Sequence, residues 1–241
     1  MAASDGLKEL APGLWALRQQ KGGYVHAFLV ESAGELSLVD TLWNADGSVV
    51  LQALSQLGRR PSELKRIAIT HGHRSHLGGA SALRRLTGAK IHAHPAEWDI
   101  LAGKRRAKRV SLTPRPPSLI KFRLGVALGV PKHPPFDVDE PLADGDAFGP
   151  FEVVHAPGHS PGHLAFWWPE RRTLVAGDAI ATWPSLSPGW HAFQVDPTEH
   201  ERSLKRMASL EPLLVGVGHG EAIAEGTPDL VHALAERARD V

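Results

Sequence analysis

Three histidines fall within six positions in the run Thr70-His71-Gly72-His73-Arg74-Ser75-His76. Imidazole is the commonest protein ligand for zinc and related metals, so His71, His73 and His76 can converge on a cation from one short loop. An apolar run, Ile67-Ala68-Ile69, leads into them, and Gly78-Gly79 follows. Three further polar residues stand beside glycine just after apolar runs. They are His159 in Gly158-His159-Ser160-Pro161-Gly162-His163, Asp178 in Gly177-Asp178, and His219 in Gly218-His219-Gly220. Glycine beside a ligand lets the backbone turn tightly and approach closely. Each of the last three is weak alone, and the joint occurrence in this order is far more specific. Two positions are candidates for the chemistry itself. Asp178 could orient a water or act as its base. Ser75 stands where a carboxylate would have strengthened the loop.

The elements that must position these residues can be read from periodicity. Residues 14–18, 25–31 and 36–41 read as strands, and Ser48 to Leu57 has helical spacing with Gly58 as its cap. Pro61 to Lys65 reads as a linker before the strand at 67–70. A helix over 80–86 and a strand over 90–93 follow. The second half repeats the theme, with strands at 151–155, 164–168, 172–176 and 213–217 and helices at 198–210 and 228–239. Two similar halves predict two sheets packed face to face with helices outside. Residues 96–145 fit less well and read as a helical and loop insertion within a single domain covering 1–241. The candidate site residues then lie at strand ends, where loops of α/β folds converge on ligands.

Composition bounds the alternatives. The chain has 241 residues, 27 basic and 26 acidic, and no cysteine. That length supports one large domain with a substantial core. Near-neutrality gives no global electrostatic argument for nucleic acid or a membrane. Without cysteine, disulfides and thiol chemistry are excluded, and any metal must be held by His, Asp, Glu or water. The first ten residues show no apolar signal region, and no apolar run is long enough to span a bilayer, so the expectation is a cytoplasmic protein.

The chain resembles the metallo-β-lactamase superfamily, over nearly its whole length. The resemblance rests on Thr70-His71-Gly72-His73-Arg74-Ser75-His76-Leu77-Gly78-Gly79, Ala156-Pro157-Gly158-His159-Ser160-Pro161-Gly162-His163, Gly177-Asp178 and Gly218-His219-Gly220. It implies an α/β fold of the αββα sandwich type with a metal site at one edge. It also implies that His71, His73 and His159 hold a first metal, that Asp178 bridges, and that His76 and His219 hold a second. The family's second-site aspartate is Ser75 here, and a neutral hydroxyl is a poor ligand beside a carboxylate. One tightly held metal or a lopsided pair is expected, zinc first, with iron or manganese as alternatives.

Three imidazoles and a water make a working hydrolytic arrangement. The leading expectation is therefore a hydrolase using a metal-bound hydroxide on an ester, thioester or lactone carbonyl. Hydroxyacyl-thioester hydrolases and lactonases are the relatives most alike in size and motif order. A mononuclear iron oxidoreductase of the persulfide dioxygenase kind, using His71, His159 and Asp178, is the alternative; a non-catalytic relative is a third reading. The expected partner is a small-molecule substrate. Asp40 reads as a brace for the metal loops, and His163 as supporting rather than ligating. His92 and His94 read as a strand-edge pair, and the basic run at 104–109 as a solvated face. The apolar residues between Leu119 and Val130 could wall a pocket or pack against a second copy in a homodimer. Trp183, Trp190 and Phe193 could wall the site or simply fill the core.

Overall fold

The computed structural model describes residues 6–107 and 133–238. The segments at 108–132, which hold Lys108, Arg109 and the apolar stretch from Leu119 to Val130, lie outside the described residues.

Among the described residues, twelve strands form two sheets. The first runs in chain order, from β1 (Gly6–Ala11), β2 (Leu14–Gln19), β3 (Val25–Ser32) and β4 (Glu35–Val39) to β5 (Leu64–Ile69), β6 (Lys90–Ala93) and β7 (Glu140–Pro141). Its first four strands pair antiparallel, and β4 to β7 pair parallel. The second sheet holds β8 (Ala147–Phe148), β9 (Phe151–His155), β10 (Leu164–Trp168), β11 (Thr173–Val175) and β12 (Leu214–Gly216). Its spatial order is β12-β11-β10-β9-β8, with only β11 and β12 parallel.

The helices that cover these sheets follow from the chain's apolar stripes. On the first sheet lie α1 (Ser48–Gln56) and α3 (Ala80–Thr87), preceded by the single turn α2 (Arg74–Leu77) and followed by α4 (Trp98–Leu101). On the second lie α5 (Pro197–Ser209) and α6 (Thr227–Arg237). Proline at the first turn of α5 and the Asp196 side chain, which accepts from Thr198 N and Glu199 N, fix where that helix starts.

Strand β3 shows how the layers arise. Val25 through Val30 are all buried, as expected for a strand covered on both faces. Val25, Ala27 and Leu29 pack with Leu54, Ile67 and Leu83 under the first helical layer. Phe28 and Val30 turn the other way and meet Phe148, Val153, Phe166 and Val175 between the sheets. On the far side, Ala165, Leu174 and Val215 pack with Leu204, Met207, Val231 and Leu234. Three apolar layers separating helix, sheet, sheet and helix make the αββα sandwich expected from the sequence.

Several boundaries differ from the sequence reading. Pro61–Glu63 is a 3₁₀ turn and Leu64 already belongs to β5, so the expected linker is mostly structured. The strand at 36–41 stops at Val39, because Asp40 takes a left-handed φ of 63°. Strand β1 was not anticipated, since its residues are largely exposed and carry no apolar period. The end of the expected insertion joins the first sheet, with Glu140 paired to His92. Among the described residues no helix is long and apolar enough to cross a membrane.

Candidate metal centre

The strand ends deliver their loops to one edge of the sandwich, and backbone hydrogen bonds tie those loops together, both across the two sheets and within each. Leu164 N donates to Thr70 O at 2.9 Å, and His26 N to Gly218 O at 2.9 Å. Gly218 N donates to Gly177 O at 2.8 Å, and Thr41 N to His76 O at 2.6 Å. A Cβ at position 218 would collide with Asp178 Oδ1, so only glycine lets this strand end pass so close to the carboxylate.

The predicted residues gather as two groups that share one carboxylate. His71, His73, His159 and Asp178 form the first, and His76, Asp178 and His219 the second, each with donor atoms within 4.8 Å of one another. In the first group, His71 Nε2 lies 2.9 Å from His73 Nδ1 and 3.2 Å from His159 Nε2. His159 Nε2 and His73 Nδ1 are 2.9 Å apart. In the second, His76 Nε2 and His219 Nε2 are 3.3 Å apart. Asp178 Oδ2 stands 3.6 Å from His71, 3.4 Å from His159 and 3.4 Å from His219, while Oδ1 stands 3.1 Å from His76 Nε2.

Hydrogen bonds behind the rings set which nitrogen faces inward. His76 Nδ1 donates to Asp40 Oδ2 at 2.8 Å, and His219 Nδ1 to Gly23 O at 2.6 Å. Thr70 Oγ1 donates to Asp40 and meets His71 Nδ1 at 2.9 Å, so the His71 proton sits on that nitrogen. The inward atoms of His71, His76 and His219 therefore present lone pairs when neutral. Asp40 is the brace the sequence suggested, since it also accepts from Thr70 N at 2.8 Å.

A cation fits this arrangement. The ligand atoms of a tetrahedral zinc with bonds near 2.0–2.1 Å are about 3.3 Å apart, close to the spacings above. Asp178 Oδ1 is buried and meets no donor in hydrogen-bond geometry, an orphan that an ion would satisfy. Burial holds His71 and His159 well below their ordinary pKa, with His73 pushed down to about 4, so these rings are neutral and free to ligate. His76 goes the other way. Burial disfavours its charge, but Asp178 and Asp40 outweigh that and raise it to about 10. The two carboxylates thus call for positive charge at that point. Asp178 is itself held well below the carboxylate range, with burial opposed by the charges of His219 and His76.

Ser75 lies on α2, one residue before His76, and is 9% exposed. His163 is fully buried, and its Nε2 accepts from Asp178 N at 3.1 Å. It therefore holds the backbone of Asp178, a supporting place rather than a ligating one. His94 stacks on His155 with centroids 4.3 Å apart, while His92 meets the inter-sheet core, so they do not act as a pair. The aromatic loop does reach the site. Trp190 stacks on His219 at 4.3 Å, and Phe193 meets His73 edge-on at 5.6 Å.

One residue was invisible to sequence reasoning. Glu97 is completely buried, and its carboxylate accepts from Gly72 N at 2.9 Å and Gly162 N at 2.8 Å. It thereby clamps the loop carrying His71 and His73 to the loop carrying His159. No motif marks it, because its partners are backbone groups far away in sequence; a lone acid in the turn Pro95–Glu97 was the only trace.

Comparison with known proteins agrees with this geometry. The family model for the metallo-beta-lactamase superfamily matches residues 21–219. The chain belongs to the metallo-β-lactamase superfamily. Within it, the chain is 29% identical over 201 residues to "Probable metallo-hydrolase YybB" of Bacillus subtilis, covering 83% of this chain and 82% of that protein. It is 28% identical over 201 residues to hydroxyacylglutathione hydrolase of Cereibacter sphaeroides. That match covers 80% of this chain but only 62% of the hydrolase. Among solved structures, TTHA1623 in a di-iron-bound form is similar, with a TM-score of 0.66 and 26% identity, covering 91% of this chain and 97% of that one. The superfamily and its hydrolase members support a hydrolase with a His/Asp metal cluster.

Proposed function

We propose that this chain is a metal-dependent hydrolase acting on an ester, thioester or lactone carbonyl, with a full first metal site and a weakened second one. The observation that carries the reading is the pair of donor groups sharing Asp178, with inward imidazole nitrogens about as far apart as ligands of one ion. His71, His73 and His159 would hold the first metal, His76 and His219 the second, and Asp178 would bridge. A divalent metal there supplies Lewis-acid polarisation of a carbonyl and a water that ionises near neutral pH.

The chain's own residues supply the rest. Asp178 holds its charge at neutral pH because His219 and His76 lie against it, so it can accept a hydrogen bond from the attacking water and orient it. His163 and Asp40 hold Asp178 and His76 in place. Trp190 and Phe193 keep bulk water from one side of the cluster. Ser75 cannot take up a proton as a carboxylate would, which leaves Asp178 as the candidate base. Zinc is the first expectation for the metal; the di-iron form of TTHA1623 keeps iron in view.

Metal content by elemental analysis tests the assignment. His71→Ala and His159→Ala are each expected to lose most of the bound metal and the hydrolysis of simple esters and lactones. Unchanged metal in both variants would sink it. Iron together with oxygen uptake on a persulfide would instead identify an oxidoreductase. Against that outcome stands His73, whose Nδ1 lies 2.9 Å from both His71 and His159 and adds a donor that an iron site of His71, His159 and Asp178 alone would leave idle.

A further inference from the structure

The inner face of the first sheet changes character beside the edge of the second. Strand β12 is an edge strand, and a Cβ at its Gly216 would lie 2.6 Å from the Phe28 ring. Lys8, Ala16 and Phe28 are paired across β1, β2 and β3, and so are Gly6, Arg18 and His26. Residues paired in this way share a face of the sheet. Ala16 and Phe28 belong to the apolar layer between the sheets. Lys8, Arg18 and His26 thus stand on a face that is core elsewhere.

A cavity gives these polar side chains a use. It holds about 220 Å³ and is lined on its apolar side by Leu10, Ala16, Phe28 and Val217. Its polar side is formed by Lys8, Arg18, His26 and Glu221. No donor of the metal centre lines it. His26 is only 5% exposed, and its ring runs nearly parallel to that of Phe28, at 26° and 6.2 Å. Its Nδ1 is sealed in without a hydrogen-bond partner, so a proton placed there would be wasted. Nε2 is the nitrogen left to meet the cavity, and with the proton on it the ring aims a donor inward.

The charges favour an anion. Glu221 already accepts from Tyr24 Oη at 2.7 Å and from Arg18 at 3.1 Å. Arg18 is therefore engaged, and what it gives the cavity is charge. Lys8 lies a loose 3.7 Å from Glu221, with its side chain 68% exposed. Such a surface pair holds weakly, so the ammonium can turn to a ligand. Two cations against one carboxylate leave a single positive charge. The volume equals about seven waters of ~30 Å³ each, below the ~300–1,000 Å³ of sites for drug-sized molecules.

We infer that this cavity is a second ligand site, separate from the metal centre, for a short-chain monocarboxylate. The carboxylate accepts from His26 Nε2 and meets the Lys8 charge, while the alkyl chain lies on Leu10, Phe28 and Val217. The inference goes beyond the hydrolase reading and does not depend on it.

The test titrates the metal-loaded protein with sodium acetate, sodium butyrate and 1-butanol, followed by saturation-transfer NMR. Butyrate is expected to bind more tightly than acetate, by up to about fourfold per methylene buried, and more tightly than butanol. His26→Phe keeps a ring in place but removes the donor. It should weaken butyrate binding roughly ten- to hundredfold. Lys8→Glu, at an exposed position, should weaken it too, and should leave butanol unaffected. Neither variant removes a donor of the metal centre, so unchanged metal content and Tm serve as controls. Butyrate binding indifferent to both variants would place the carboxylate at the metal centre and overturn the site. Weakening by Lys8→Glu alone would be surface attraction and overturns it equally. So would butanol binding as well as butyrate, or no binding of any of the three.

Discussion

At the scale of single residues, two side chains bear on how well the proposed site would hold metal, and they act in opposite ways. Ser75 withholds a ligand. The second group offers two imidazoles and a share of Asp178, so restoring a carboxylate should strengthen it. Ser75→Asp is expected to raise metal content toward two per chain, read by elemental analysis after dialysis against a weak chelator. If neither occupancy nor activity moves, position 75 does not serve the second group. Glu97 supplies order without touching the cluster. Both its oxygens accept backbone N–H groups, from Gly72 and Gly162. In Glu97→Gln one of those N–H groups would face an amide NH₂, a donor against a donor. Supporting partners of this kind typically cost 10–100-fold in metal affinity when altered, and a loss of that order is expected here by chelator competition. Unaltered affinity with lower stability would make Glu97 a brace of the fold alone.

At the scale of elements, the legible and the illegible parts divide by the range of the interaction. The histidine runs, Asp178 and His219 could be read because short apolar strands lead into them and glycine flanks them. Helices α1, α3 and α5 could be read from their stripes. Strand β1 could not, because it pairs only with β2 and buries little. Glu97 could not, because its role depends on which distant backbone groups the fold places beside it, and for Trp190 the sequence left a wall of the site and core packing equally open. His200, on α5, belongs with these. It is buried, its Nε2 donates to Pro188 O, and burial pushes it down to about 4, as it does His26 on β3. Both rings take a proton at about pH 6.5 once unfolded but only near 4 when folded. Their stabilising contribution is therefore present above about pH 6.5 and lost as pH falls toward 4. Each should remove roughly 2 kcal/mol between pH 7 and 5. His200→Gln, which keeps a donor for Pro188, should reduce that decline in urea midpoints. An unchanged slope would mean that His200 is not buried neutral.

At the scale of the whole molecule, the donor cluster joins the two sheets. His71, His73 and His76 come from the loop after β5 in the first sheet, whereas His159, Asp178 and His219 come from strand ends of the second. In the unfolded chain these groups are separated by up to 148 positions, from 71 to 219, so an ion held by both sheets binds the folded state far better than the unfolded one. Without an ion, Asp178 Oδ1 has no hydrogen bond of good geometry, and the inward nitrogens of His71, His73 and His159 crowd within 2.9–3.2 Å of one another. Metal removal is therefore expected to weaken the sandwich as a whole rather than loosen one loop. With free metal at a hundred times its dissociation constant, linkage gives about 2.7 kcal/mol. For a chain of this size that corresponds to roughly 5–10 °C in Tm. Thermal unfolding before and after chelation measures it, and re-addition of zinc should restore the loss. The same comparison in His159→Ala, whose ligand comes from the second sheet, should show a much smaller difference. If chelation left Tm unchanged in the natural chain, no ion would be linked to folding, and the shared site across the sandwich would be wrong.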